Sequence, residues 1–212
     1  MVNKQSAVVE VLSGIYHYLP NTFTVALMVG GIFMGKIAWI LIAIGAITLT
    51  MFISILQGAV TKFWGPIGTF EGAATVQACS ILPSNATTYD AFPSLWMSVS
   101  SFYLVYILRN AYSVYTTRPM NLPNESLMVQ HRKSVGMVSM ITTVILMLFI
   151  IVPRMFMSEC ETKYGAGSLL GLFIGGLAGY GWWKILSVCG PDVSPDIHGV
   201  MIGLQPGKFT TV

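Results

Sequence analysis

The sequence is poor in charge. Asp, Glu, Lys and Arg make up 9% of its 212 residues, against roughly 25% in a soluble domain. So few polar groups cannot cover a surface that faces water on all sides. With 54% hydrophobic residues and a mean hydropathy of +0.71, the lipid bilayer is the natural solvent. Basic runs are also lacking: none is longer than Arg132-Lys133, and the net charge is only +3, so nothing points to nucleic acid. The three cysteines supply neither a disulfide framework nor metal-ligand spacing, and no histidine pair suits haem. No Asp or Glu interrupts the apolar segments, which argues against a pump or an ion-coupled transporter. Residues 1–20 have no long apolar core before a cleavage site, and no Arg-rich composition, so neither a signal peptide nor a transit peptide is read there.

What is present is a series of apolar segments. An amphipathic stretch over residues 8–18 is expected to end at Pro20, followed by a short apolar segment over 23–35 that is marginal for a span. Residues 37–60 carry no charge and predict a span. Further spans are predicted over about 92–108, closed by Arg109, over 135–152, ended by Pro153, and over 165–183, ended by Lys184. The fold class expected is all-α, a polytopic transmembrane bundle of about 4–5 spanning helices. Its organisation is an N-terminal amphipathic segment (1–22), a helical membrane domain (23–187) and a Pro/Gly-rich tail (188–212). Lys36, Arg109, Arg118, Arg132, Lys133, Lys184 and Lys208 fall on one face, and Lys62, Arg154 and Lys163 on the other. The richer face should be cytoplasmic, or matrix or stroma in an organelle.

Gly167, Gly171, Gly175 and Gly179 recur every four residues in the last segment. On a helix this makes one smooth face that a neighbouring backbone can approach closely. Packing inside the protein's own bundle and packing against a partner helix both fit. Trp64, Trp96, Trp182 and Trp183 stand at span ends and read as interfacial belts. The dispersed methionines read as packing residues. Asn85-Ala86-Thr87 matches a glycosylation sequon on the charge-poor face.

On that face, Lys62 follows one span, Pro93-Ser94-Leu95-Trp96 opens another, and Pro153-Arg154 with Cys160 and Tyr164 precedes the glycine-striped helix. This order, over roughly residues 37–187, resembles the phosphatidic acid phosphatase type 2 superfamily of membrane lipid phosphatases. Its motifs are Lys-x6-Arg-Pro, Pro-Ser-Gly-His and Ser-Arg-x5-His-x3-Asp. The resemblance implies a phosphohistidine mechanism, with a nucleophilic histidine oriented by an aspartate and a second histidine protonating the leaving group. Those positions hold Cys160, Tyr164 and Trp96 here, and the Arg-Pro of the first motif is Thr69-Phe70. Only Lys62, Ser94 and Arg154 match, a set suited to a phospholipid phosphate; the other reading is that Lys62 and Arg154 are interfacial anchors that snorkel toward water. His131 and His198 fall on the opposite face, and His17 matches no motif, so no imidazole is expected near the site. Glu159 and Glu161 flank Cys160 and disfavour its thiolate as a replacement nucleophile. Cys79 and Cys160 share a face and could form a disulfide in an oxidising compartment.

The expectation is therefore a non-catalytic accessory subunit of a larger membrane-protein complex: a pseudoenzyme with no catalytic residue, no metal and no cofactor beyond bound phospholipid. Its partners would be other membrane subunits and lipids, not nucleic acid. The alternative is a lipid phosphatase or lipid-binding protein with an altered site. The host membrane leans to the mitochondrial inner membrane, with other organelles and viral membranes left open.

Overall fold

The computed structural model describes residues 4–65, 69–71, 88–90, 92–116, 125–157 and 166–189. They form five helices, α1 (Lys4–Phe33), α2 (Ile37–Trp64), α3 (Leu95–Thr116), α4 (Glu125–Met157) and α5 (Ala166–Val188). Between α2 and α3 lies a two-stranded antiparallel ribbon, β1 (Thr69–Glu71) and β2 (Thr88–Asp90), with Phe70 opposite Tyr89. The described residues are thus helical, apart from this short ribbon.

The largest difference from the sequence reading is at the N-terminus. Residues 4–33 form one helix that runs through Pro20, so the expected boundary at residue 22 falls inside α1. Proline removes an amide donor and crowds the carbonyl of the preceding turn, which normally ends a helix. Here a neighbour answers the loosened carbonyl. Trp96 Nε1 donates to the His17 carbonyl at 3.1 Å. Inside a bundle such outside donors let proline persist in a helix. The same device recurs in α4, which continues through Pro153 to Met157, where the Tyr16 hydroxyl donates to the Ile150 carbonyl. In each case the satisfied carbonyl lies three residues before the proline.

α1 turns into α2 through Gly35 at φ +62°, with Lys36 N–H bonded to the Gly31 carbonyl at 2.8 Å and Gly35 N–H to the Ile32 carbonyl at 3.3 Å. That pairing is a Schellman stop, which favours glycine because the left-handed backbone crowds a Cβ. α2 holds its hydroxyls internally: Thr48, Thr50, Ser54 and Thr61 each donate to a carbonyl four residues back at 2.9–3.0 Å. Those bonds make a polar side chain cheap in an apolar setting.

Side-chain contacts fix the directions. His17 and Thr24 of α1 meet Trp96 and Tyr103 of α3, so these helices run the same way. Gly171 and Gly179 of α5 meet Ser94 and Phe102, so α5 is parallel to both. α2 returns from Gly30 and Gly31 of α1, which lie against Trp39 and Ile40, to Gln57, which bonds the Pro93 carbonyl. α4 also runs opposite to α3, with Gly136 against Ala111 and Tyr115, and Arg154 against Trp96. Tyr16, Gln57, Trp96, Arg154 and Gly167 therefore share one end, hereafter the ribbon end. Lys36, Arg109 and Trp183 share the other.

α3 is the axle of the bundle. Residues 95–104 are all buried, among them Trp96, Met97 and Phe102. α4 lies at the other extreme, with Val138, Ile141, Leu148 and Phe149 all exposed. α2, residues 130–155 of α4, and α5 are each long and apolar enough to cross a membrane, as the helices of an integral membrane protein are. α3 and α4 also run past their expected ends at Arg109 and Pro153.

Candidate functional site

The ribbon end holds Lys62, Ser94, Trp96 and Arg154 among the residues that the resemblance singles out, and gives each a different setting. Ser94 is the N-cap of α3. Its hydroxyl accepts the Met97 amide at 3.3 Å, and its own amide donates to the Gly167 carbonyl at 3.0 Å. A serine at this position satisfies one of the amides that every helix start leaves open. Ser98 Oγ donates to the Ser94 carbonyl at 2.7 Å, extending the polar seam one turn down.

Arg154 is 3% exposed, and its guanidinium carbon lies 5.0 Å from the centre of the Trp96 ring. A desolvated cation over an indole face is the stronger form of the cation–π contact. Trp96 itself is wholly buried, which corrects its reading as an interfacial belt residue. Tyr16 tilts against it with ring centres 5.0 Å apart. Trp182 is likewise an internal wedge rather than a belt residue: its Nε1 donates to the Leu41 carbonyl at 3.0 Å, and its indole occupies the space a side chain on Gly45 would need. Trp64, by contrast, is exposed.

Lys62 stands in the last turn of α2, exposed, where a cation complements the helix dipole. Among the described residues it makes no hydrogen bond or ring contact to Ser94 or Arg154. The three matching residues thus share an end of the bundle, but two are enclosed and one faces outward. Thr69 and Phe70 lie in β1. Cys79, Cys160 and Tyr164 fall outside the described residues, as do Asn85 and the tail beyond Cys189. Cys189 itself is a free, exposed thiol.

The sequence reading missed α1's contribution. It placed no imidazole near this end, yet the backbone of His17 is bonded to Trp96, the ring that carries Arg154. The His17 ring sits edge-on to Tyr18, with centres 4.8 Å apart. A helix unbroken at Pro20 is what brings it there. No local signal showed this, because the donor that serves the His17 carbonyl is Trp96, distant in sequence.

The glycine stripe has a definite neighbour. A Cβ on Gly171 would lie 2.6 Å from the Ser94 carbonyl oxygen, and on Gly175 and Gly179 it would collide with the carbonyl oxygens of Ser98 and Phe102. Gly167 presents its carbonyl to Ser94. All four therefore lie along α3, as glycines do where two backbones approach without side chains between them. Among the described residues no group of three His, Cys, Asp or Glu side chains could hold a metal ion. Comparison with protein-family models, curated proteins and solved structures found no match for the chain.

Proposed function

We propose that this protein is a non-catalytic, helical subunit of a larger membrane assembly, in which the ribbon end serves architecture rather than chemistry. The observation that supports this reading most is burial: Ser94 and Trp96 are 0% exposed and Arg154 is 3% exposed. A phosphatase must present its phosphate ligands to a substrate. Here an indole fills the position where the resembling family carries its proton-donating histidine. Ser94 caps a helix, and Arg154 rests on the indole. In this reading all five helices form one membrane bundle, α1 and α3 included. α3 can carry polar residues because other helices, rather than lipid, surround it. The exposed apolar face of α4 then meets lipid or a partner subunit. An energy-converting organelle membrane remains the favoured host.

Gentle detergent extraction followed by native electrophoresis tests the assembly. The chain should migrate within a large, defined complex; migration at its own mass plus detergent would overturn the subunit reading.

One observation favours the altered lipid phosphatase instead, the presence of His17 at the same end as Arg154. In the resembling family an imidazole takes up the phosphoryl group, and α1 brings a histidine to this end. The pure protein is expected to release no phosphate from phosphatidic acid in mixed micelles, with His17→Ala identical to the parent. Release that His17→Ala abolishes would make the protein an enzyme.

A further inference from the structure

At the end opposite the ribbon, Arg109 is enclosed by aromatic rings. Its guanidinium carbon lies 5.2 Å from the Tyr112 ring centre, 5.1 Å from Tyr180 and 4.7 Å from Trp183. Two of these rings stand on α5, and Tyr112 is one turn along α3 from Arg109. The rings steady the cation but accept little from its N–H groups, which need lone pairs in the guanidinium plane. Nε is shut away from solvent and has no hydrogen-bond partner among the described residues. No acid is available on the same helices: the sequence has no Asp or Glu from residue 91 to 124 or from 162 to 191. The cage is nonetheless open at its edge, because Tyr112 and Tyr180 are 47% and 41% exposed. The exposed residues of α5 near this end are apolar at Leu177, Ile185 and Val188 and cationic at Lys184.

We propose that Arg109 binds the phosphate of an anionic phospholipid from the leaflet at this end. The planar fork of the guanidinium offers paired N–H donors to a phosphate. Tyr112, Tyr180 and Trp183 hold that fork at the depth where aromatic belts and head groups meet. Lys184 adds positive charge that favours an anionic head group over a zwitterionic one, and Leu177, Ile185 and Val188 offer the acyl chains a surface. The bound lipid would supply the negative charge that α3 and α5 lack. This site is separate from the ribbon end and does not depend on whether the protein joins a larger complex.

The test uses the full chain in nanodiscs of phosphatidylcholine with a minority of phosphatidylglycerol, released into native mass spectrometry. The parent protein should retain phosphatidylglycerol in preference to the more abundant phosphatidylcholine. Arg109→Gln should lower that preference by about tenfold, the effect of losing one charge-assisted hydrogen bond. Arg109→Lys, which keeps the charge without the fork, should fall between the two. Absence of head-group preference in the parent overturns the proposal whatever the variants do, and so does an undiminished preference in Arg109→Gln. Displacement of the lipid by millimolar inorganic phosphate would show a site for the free ion and equally defeat the lipid assignment.

Discussion

Gly175→Ala should destabilise the bundle by about 3 kcal/mol, at the upper end of what overpacking costs. The added methyl would collide with the Ser98 carbonyl oxygen and the Ser101 hydroxyl. The first is backbone in the most enclosed helix of the fold and cannot swing aside. Relief would require α3 and α5 to separate, which would also strain the contacts at Gly171 and Gly179 above and below. Gly181→Ala is the control. It lies on the same helix with nothing within 4 Å of its added carbon, so it should be neutral or gain up to about 1 kcal/mol from helix propensity. Thermal unfolding in detergent, followed by tryptophan fluorescence, should put Gly175→Ala about 6–12 °C below the parent, with Gly181→Ala at or above it. Equal melting of the two variants would show that the stripe is not a packing seam.

Trp96→Ala should be of similar severity, about 3–5 kcal/mol, as for other buried aromatic truncations. Three losses coincide. A fully buried indole leaves a cavity, the His17 carbonyl in the proline-loosened part of α1 loses its donor, and Arg154 loses the ring beneath its charge. Trp96→Phe separates them: it keeps a ring and gives up the N–H, and should cost about 1 kcal/mol beyond any packing change. Trp64→Ala removes the same side chain from an exposed position and should stay within about 0.5 kcal/mol of the parent. If Trp96→Ala melts with Trp64→Ala, the ribbon end is not the structural lock described above.

Both expectations concern residues that stand out in the sequence, but the two were not equally readable. The glycine stripe could be placed on one helix face from spacing alone. Which helix it would meet was open, because the small residues of α3 are serines at 94, 98 and 101, and serine there also suits a cap or a turn. The segment over 37–60 reads correctly because apolarity and the absence of charge coincide, and α2 extends it only to Trp64. Pro20 and Pro153 mislead for one reason: a local rule ends helices at proline, whereas both breaks are bridged by donors distant in sequence. Tyr16 lies 134 residues from Ile150, and Trp96 lies 79 residues from His17. No window along the chain contains those pairs. Arg109 misleads similarly. As a charge it should end a span, but the rings of α5 let α3 continue to Thr116. At the ribbon end, Lys62, Ser94 and Arg154 can be named from the sequence, while the burial of Ser94 and Arg154 is a property of the packed bundle.

The enclosure of α3 also bears on how the chain is made. Membrane insertion weighs each emerging segment by its own apolarity, and polar residues within a segment count against it. α2, α4 and α5 are apolar enough to enter lipid on their own merits. α3 carries Ser98, Ser100, Ser101, Arg109 and Asn110. In the bilayer placement proposed above it would cross only in company. Its closest companion, α5, leaves the ribosome after it. The centre of the bundle would therefore be settled only when α5 arrives and the glycine face closes over the serines. Until then α3 would be a natural client for whatever escorts hesitant segments into the membrane.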